Sequence, residues 1–197
     1  CRHGMGYSIF TGVKNGLKAQ VTSFVPMGYT CEVNKLTLTN ESDTVKNFSV
    51  FSYVEFCLWN AMDDMTNFQR NFSTGEVEVM GSVIIHKTEY RERRRHYAIF
   101  GVNTPINGFD TDRDSFLGAF LGAGNGNAFP EAVCKKKCSN SIASGWAPIG
   151  SHQITLSLQP GETKTYIYVL GYCENPADQK WESQGVVNKA PAKALME

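Results

Sequence analysis

The sequence predicts an all-β fold, an antiparallel β-sandwich, and three observations support this prediction. Apolar and polar residues alternate through much of the chain, which is the period of a β-strand. Gly, Asn and Pro separate these runs at short intervals, as turns do. Aromatic residues make up 12% of the chain and Gly occurs 18 times, a composition that suits strands, tight turns and packed rings. With 42% hydrophobic residues in 197, the chain can bury one sizeable core.

A long apolar run in the first half of the chain is the clearest predicted strand. Apolar residues occupy both parities of residues 48–58, so we expect a central strand that is covered on both faces. Short polar residues at 40–43 predict a turn before it, and Leu36 and Leu38 belong to the strand that leads into this turn. The pattern therefore predicts an antiparallel hairpin.

A second hairpin is predicted in the last quarter of the chain. Residues 154–158 and 165–170 form its strands, and residues 159–162 form its turn. With the shorter extended runs, the sequence predicts about nine strands. Those further runs cover residues 7–13, 17–25, 76–80, 83–86 and 97–102. Short strands separated by turns are typical of a sandwich, whose loops are then available for function.

The sequence predicts one domain followed by the beginning of another region. Residues 1–175 are expected to form the β-sandwich, cut at its amino-terminal end, because no linker divides them. Strong helix formers follow Pro191, so residues 176–197 are expected to begin a helical linker that continues in a longer polypeptide. Residues 103–150 are rich in Gly, Asn and Ser, and they either cover something or are poorly ordered.

Charge and hydropathy exclude several classes of partner. The chain has 19 Lys and Arg against 19 Asp and Glu, so no net field recruits nucleic acid or an anionic membrane surface. No apolar run approaches the ~18 residues of a membrane helix, and no secretory signal is visible. We therefore expect a cytoplasmic protein that contacts neither nucleic acid nor membrane.

The six cysteines fit a reducing compartment. Cys31, Cys57 and Cys173 lie in strand-like runs, where small buried hydrophobic residues are the better interpretation. Cys134 and Cys138 are separated by three lysines and lack a second Cys or His pair, which argues against a zinc site. We predict no metal site.

The most unusual segment is residues 89–96, which hold four Arg and two Glu between two predicted strands. Arginine side chains bind phosphate, carboxylate or sugar hydroxyls in defined geometry, and the ring of Tyr90 can stack on a sugar. The same pattern also fits a solvated edge whose charges pair with one another. Both interpretations stay open on these residues alone.

Acidic residues elsewhere do not define a catalytic centre. Residues 110–114 begin like a calcium loop, but Ser115 and Leu121 stand where such a loop needs Gly and Glu. Arg113, placed between acids, instead suggests ion pairing within a turn. The neighbours Asp63-Asp64 are expected to point apart and to shape a loop rather than to act as an opposed acid and base.

Six sequence blocks are more specific than any of these motifs, and they cover residues 2–7, 51–61, 63–71, 86–94, 108–114 and 145–149. In their order along nearly the whole chain they resemble the amino-terminal domain of the cellobiose phosphorylases of glycoside hydrolase family 94. Residues 121–138 do not follow a block of that family. The acceptor preference can therefore differ, toward cellodextrins or another disaccharide.

This resemblance implies a large super-sandwich of the galactose-mutarotase type, followed by a helical linker and an (α/α)6 barrel, in a cytosolic homodimer. It implies reversible phosphorolysis with inversion, in which cellobiose and phosphate give α-D-glucose 1-phosphate and D-glucose. Phosphate attacks where an inverting hydrolase places water, so a general acid is needed and a carboxylate base is not. In the family that acid is an Asp of the barrel, so we name no catalytic residue in this chain. We expect no cofactor, with inorganic phosphate as co-substrate.

The resemblance also implies that the sandwich of one subunit lends a loop to the active site of the other, near the acceptor glucose. We expect Tyr90 and Arg91 to bind this acceptor, with Glu92 and Arg93 in support. The expected partners are cellobiose, glucose, glucose 1-phosphate, phosphate, a second copy and the remainder of the polypeptide.

The alternative function is a stand-alone module that binds β-glucans or oligosaccharides without catalysis. Such a module would use exposed aromatic side chains, for which Trp59, Trp146 and Trp181 are the candidates.

Overall fold

Two antiparallel sheets pack face to face in the computed structural model, which describes residues 1–56, 75–88, 95–118, 128–144 and 148–197. The strands are β1 (Arg2–Gly4), β2 (Tyr7–Lys14), β3 (Leu17–Phe24), β4 (Cys31–Asn40), β5 (Lys46–Phe51), β6 (Val54–Glu55), β7 (Gly75–Met80), β8 (Val83–Thr88), β9 (His96–Val102), β10 (Gly108–Asp112), β11 (Pro148–Leu158), β12 (Thr163–Glu174), β13 (Trp181–Ser183) and β14 (Val186–Val187).

In these ranges the larger sheet has eight strands in the order β1–β2–β3–β4–β12–β9–β8–β7. The smaller sheet has four strands, with β11 between β10 and β5 and with β6 also paired to β11. A separate two-stranded sheet consists of β13 and β14. This architecture confirms the predicted antiparallel β-sandwich.

Three short helices accompany the sheets in the described residues: α1 (Arg113–Leu117), α2 (Glu131–Cys134) and α3 (Ala190–Met196). Asp112 caps α1, because its carboxylate accepts a hydrogen bond of 2.7 Å from the Ser115 backbone N–H. A helix begins around Pro191, as predicted. In the part of the chain that the structure describes, no helix is long and apolar enough to cross a bilayer.

Both predicted hairpins are wrong for the same reason, because each turn carries the chain from one sheet to the other. β4 pairs in the larger sheet and β5 in the smaller, and β11 and β12 are divided in the same way. The buried Asn40 connects the two crossings, since its backbone pairs with Glu162 at 3.0 Å and with Gly161 at 2.8 Å. Its side chain donates to the carbonyls of Thr44 and Leu158, at 2.8 and 3.0 Å. Asn40 thereby satisfies backbone groups where neither sheet can.

The run predicted as one central strand forms β5 and β6 instead. Among the described residues β5 pairs only with β11, so it lies at the side of the smaller sheet. Both of its faces are nevertheless covered, as predicted. Val50 packs on the core between the sheets, whereas Phe51 and Tyr53 contact Phe116 of α1. Both faces of this run are apolar because one face packs on the core between the sheets and the other packs on α1.

The main core lies between the sheets. Tyr166 and Tyr168 of β12 face Leu156 and Leu158 of β11, and each such buried side chain contributes about 2 kcal/mol. Residues 103–150, where described, add β10 to the smaller sheet and cover its outer face through α1 and α2. Buried side chains of this layer include Phe116, Leu117, Ala132 and Cys138.

A second apolar cluster lies on the opposite face of the larger sheet, where α3 and the β13–β14 pair pack. Two glycines permit this close approach. A Cβ at Gly171 would lie 2.5 Å from Leu195 Cδ2, and one at Gly101 would lie 2.7 Å from the Met196 thioether. Residues 176–197 therefore pack directly on the sandwich, and their continuation as a linker stays a prediction.

Candidate functional site

The candidate site is the end of the larger sheet where the arginine-rich segment joins β8 to β9. β8 ends at Thr88 and β9 begins at His96. The four residues predicted to bind the acceptor lie between these strands but outside the described residues: Tyr90, Arg91, Glu92 and Arg93. The surrounding residues show how both ends of the segment are held.

Lys87 fixes the end of β8. It is 3% exposed, and its ammonium pairs with Glu76 of the neighbouring strand β7. The same ammonium donates to the Gly185 carbonyl at 3.0 Å and lies 4.6 Å from the centre of the Trp181 ring. A buried charge costs several kcal/mol unless it is paired and hydrogen-bonded, and these three contacts meet that requirement. The strand that leads into the segment is therefore held in one position.

Asn175 fixes the beginning of β9. Its backbone N–H donates to the Arg95 carbonyl at 3.1 Å. Its side chain accepts from the Tyr97 hydroxyl and donates to the carbonyls of Lys180 and Asn188, each at 3.1 Å. Burial raises the pKa of Tyr97, so the phenol remains a donor. One buried amide thus joins the last residue before β9 to the β13–β14 region.

A polar cluster lies on the other face of the sheet at the same end. The Tyr172 hydroxyl donates to Glu174 Oε1 at 2.6 Å and also contacts His96 Nδ1. His96 Nδ1 lies 3.4 Å from Glu174 Oε1, so the imidazole and the carboxylate form an ion pair whenever His96 is protonated.

The acids of residues 110–114 are structural. Asp110 is buried, and its carboxylate accepts from the backbone N–H groups and hydroxyls of Ser139 and Ser141. Arg113 pairs with Glu55 of β6 at 3.2 Å, so the expected ion pair within its own turn is wrong. The reason is that α1 begins at Arg113 and directs this side chain toward β6. Among the described residues no three His, Cys, Asp or Glu side chains are placed to hold a metal ion.

The cysteines behave as thiols in the described part of the chain. Cys31 and Cys173 are buried and free, as predicted. Burial, with the nearby Asp110, raises the pKa of Cys138 to about 12, whereas Cys134 is exposed.

Of the three tryptophans considered for a binding module, Trp181 is the one that lies within the described residues. The ammonium groups of Lys87 and Lys180 lie 4.6 and 4.1 Å from its ring centre. The other predicted residues that lie outside the described residues are Cys57, Trp59, Asp63, Asp64, Leu121 and Trp146.

Sequence reasoning missed Lys87 and Asn175. A signal existed for Lys87, because it directly continues the apolar run 83–86 beside the acidic strand 76–80. A lysine in such a place needs a partner. For Asn175 the signal was weaker, since an Asn before Pro176 usually marks only a turn.

Comparison with known proteins gives this fold a family. The supersandwich domain of the glycosyl hydrolase 94 family matches residues 1–190. The chain is 33% identical over 172 residues to an N,N'-diacetylchitobiose phosphorylase from Vibrio proteolyticus, covering 86% of this chain and 21% of the relative. It is 28% identical over 175 residues to a solabiose phosphorylase from Paenibacillus borealis, covering 87% of this chain and 22% of the relative.

A solved structure provisionally described as a kojibiose phosphorylase from human microbiome has the same fold. The TM-score is 0.50 at 10% identity, covering 85% of this chain and 17% of the other. The chain spans about a fifth of the length of the curated relatives it matches. The match over residues 1–190 is decisive: the chain belongs to the glycosyl hydrolase 94 family and forms its supersandwich domain.

Proposed function

We propose that this chain is the supersandwich domain of an inverting disaccharide phosphorylase. The observation that carries the proposal is the family match over residues 1–190, joined by relatives that are described as phosphorylases. The enzyme cleaves its disaccharide with inorganic phosphate to give α-D-glucose 1-phosphate and a free sugar, without a cofactor. The general acid for the leaving sugar lies outside this chain.

The role of the segment 89–94 in this proposal is to line the acceptor site. Arg91 donates hydrogen bonds to sugar hydroxyls, Tyr90 packs against the ring, and Glu92 and Arg93 support them. The rigid stems at Lys87 and Asn175 support this role, because a binding loop is effective only when its scaffold holds it in place. A merely solvated edge would not need two buried polar anchors.

The preferred disaccharide of the proposal is cellobiose, which the sequence blocks favour. The most similar relatives reported above include a phosphorylase for N,N'-diacetylchitobiose. The two sugars share their linkage and differ at carbon 2, which carries a hydroxyl in one and an acetamido group in the other. The choice is therefore an experimental comparison of two acceptors, glucose and N-acetylglucosamine, each with the sugar 1-phosphate donor that its disaccharide requires.

Assembly with a second copy and with the remainder of the polypeptide is the other role we propose. Apolar side chains around β1, β2 and β3 are at least one-third exposed, and we name this surface the apolar edge. Its members are Met5, Tyr7, Phe10, Val13, Phe24, Val25, Met27 and Tyr29. Exposed apolar patches of this kind mark interaction surfaces. We place the whole enzyme in the cytoplasm, where thiols such as those of Cys31 and Cys173 stay reduced.

A stand-alone glucan-binding module is the less favoured function. A sugar-binding tryptophan needs an open ring face. Two ammonium groups lie over the ring of Trp181, which reduces the area it offers to a sugar.

The experiment that tests the proposal measures phosphate release from α-D-glucose 1-phosphate with glucose or with N-acetylglucosamine as acceptor. Two proteins are compared, this chain and the longer protein that contains it. We expect release only from the longer protein, with glucose as the better acceptor. Faster release with N-acetylglucosamine would replace cellobiose by the disaccharide in which glucose is linked to N-acetylglucosamine. The same assay with N-acetyl-α-D-glucosamine 1-phosphate as donor tests diacetylchitobiose. Release with neither sugar would contradict the proposed reaction.

A further inference from the structure

His96, Tyr172 and Glu174 form a connected polar cluster at the end of the larger sheet where β9 begins. His96 and Glu174 are direct partners across β9 and β12. Tyr172 lies two residues before Glu174, so it points to the same face of β12. The imidazole of His96 is largely buried, with 11% of its side chain exposed, whereas the Glu174 side chain is 46% exposed. The cluster therefore lies directly beside Arg95, the described residue that precedes β9.

The hydrogen bonds of this cluster have one consistent direction. The Tyr172 hydroxyl donates its single proton to Glu174 Oε1, at 2.6 Å. In its contact with His96 Nδ1 the imidazole must then be the donor, because the hydroxyl has no second proton. His96 Nδ1 also lies 3.4 Å from Glu174 Oε1, so the ring N–H faces both oxygens. Glu174 thus fixes the tautomer of His96 and, with Tyr172, the orientation of its ring.

The cluster supports a face of the sheet that the other anchors leave unsupported. Lys87 and Tyr97 are partners across β8 and β9, so they point to one face, where they bond to Gly185 and Asn175. His96 precedes Tyr97 and points to the opposite face, because successive residues of a strand alternate. Anchors on both faces restrict the direction in which the chain leaves the sheet more than anchors on one face do.

The direction of the chain at this point matters for any ligand that the segment 89–94 binds. The segment leaves β8 after Thr88 and returns at His96, so the geometry of these two strand ends limits its course. Binding residues on loops depend on a rigid scaffold for their position. A displacement of about 1 Å at a binding group already reduces its contribution strongly.

We propose that Tyr172 and Glu174 are positioning residues for the acceptor sugar, because they hold His96 and with it the end of the segment 89–94. This inference rests on the proposed function, since it assumes that this segment lines the acceptor site. Neither residue touches the sugar, and both act through the imidazole. Their removal weakens binding of the acceptor and leaves binding of the sugar 1-phosphate donor unchanged.

The test is the synthetic kinetics of Tyr172→Phe in the longer enzyme that contains this chain. The variant keeps the ring and removes the hydroxyl that joins Glu174 to His96. KM for the acceptor sugar should rise about fivefold, the effect of one lost hydrogen bond. The values of kcat and of KM for α-D-glucose 1-phosphate should not change. Tyr166→Phe is the matched control, because it lies on the same face of β12 but beyond the residues that pair with β9.

Glu174→Ala completes a double-mutant cycle with Tyr172→Phe. We expect it to raise the acceptor KM at least as much as Tyr172→Phe does. The double variant should be no worse than Glu174→Ala alone, because both residues act through one ring. Glu41→Ala is the matched control for this carboxylate. The Glu41 side chain is 43% exposed and lies 3.4 Å from the Lys18 ammonium, and it follows β4 at the opposite end of the sheet.

Hydrogen exchange of the longer enzyme adds a readout that needs no turnover. Backbone amides of residues 89–95 should exchange faster in Tyr172→Phe and in Glu174→Ala, and at the unmodified rate in the two control variants. Unchanged exchange in the first pair would overturn the inference whether or not the proposed reaction occurs. Thermal melting of each variant checks that the fold is intact.

The kinetic outcomes separate this inference from the proposed function. A raised acceptor KM in Arg91→Ala with an unchanged one in Tyr172→Phe and Glu174→Ala would overturn the inference and leave the proposed function in place. Additive effects in the cycle, or an equal rise in KM for the donor, would also overturn it. An unchanged acceptor KM in Arg91→Ala would remove the acceptor role of the segment, and the inference with it.

Discussion

The two edges of the larger sheet use their side chains in opposite ways. At the apolar edge, Tyr7, Phe10 and Val13 of β2 expose about half or more of their surface, and they include residues from both faces of the strand. Near the other edge, which β7 forms, β8 and β9 bury Lys87 and Tyr97 and tie them to partners beyond their own strands. We call this second region the polar edge.

This difference indicates a different role for each edge. Covering apolar surface that is exposed to water lowers the free energy, so the apolar edge suits assembly. Buried polar groups cost free energy unless every partner is in place, so the polar edge suits a segment that must keep one geometry. The four predictions that follow test this contrast, in descending order of their expected effect on stability.

Asn175→Ala is expected to have the largest effect. It leaves the buried Tyr97 hydroxyl and the Asn188 carbonyl without this partner and removes one hydrogen bond to the Lys180 carbonyl, which keeps the Asn188 backbone N–H. The expected loss is about 3 kcal/mol in the free energy of unfolding. Chemical denaturation measures this loss. Asn103→Ala, which removes one side-chain bond to the Ile167 backbone, is the control and should cost about 1 kcal/mol. Equal losses would mean that the polar edge has no special anchor.

Gly171→Ala is expected to cost about 2 kcal/mol, because its Cβ would meet Leu195 at 2.5 Å and displace α3. Gly12→Ala in β2 is the matched control, since nothing lies within 4 Å of the added Cβ. It should change stability by less than about 0.5 kcal/mol. Hydrogen exchange should show faster opening of α3 only in the Gly171 variant. Unchanged protection of α3 in both variants would mean that the close approach is not needed.

Acid should destabilise the fold through His152. Its pKa is about 4 when folded and about 6.5 when unfolded, so the unfolded chain binds the extra proton between these values. Stability should fall as the pH drops from about 6.5 to about 4, by at most about 1.4 kcal/mol per pH unit from this residue. Tyr168 beside it stays protonated throughout, because burial raises its pKa. His152→Gln should show a shallower fall in urea unfolding measured across this window. An identical pH profile would show that His152 is accessible to protons in the fold.

Substitutions at the apolar edge should have the smallest effect on stability and a clear effect on assembly. Phe10→Ser with Val13→Ser replaces two exposed side chains, so the melting temperature of the chain should stay within about 2 °C. Sedimentation of the longer enzyme should show a weaker dimer. A lower melting temperature with unchanged assembly would reverse the role that we assign to this edge.

The sequence predicted the strands better than their partners. Alternation located β2, β3, β7, β8 and β9, because the strand period is written locally in the side chains. It could not show that the chain changes sheets at Asn40, since this depends on a buried amide that bonds residues more than a hundred positions apart. Pairing across such distances leaves no local pattern.

The strands on either side of the candidate segment were predictable, but the side chains that hold them were not. The arginine-rich segment stood out by composition, and the strands predicted before and after it, β8 and β9, pair with each other. Its role at the acceptor site stays a prediction. Asn175 could not be identified as its anchor, because its partners come from three separate parts of the chain: residues 95–97, Lys180 and Asn188. The contact between Ser52 and His152 was equally hidden, since the two residues meet only when β11 pairs beside β5.

The most direct test of the central claim is the synthetic kinetics of Arg91→Ala in the longer enzyme that contains this chain. If the segment 89–94 lines the acceptor site, KM for the acceptor sugar should rise about tenfold or more, the effect of a lost charged hydrogen bond. The melting temperature should not change. Lys35→Ala, which removes an exposed cation from β4 of the same sheet, should leave KM unaltered. An unchanged acceptor KM in Arg91→Ala would contradict the assignment of this segment.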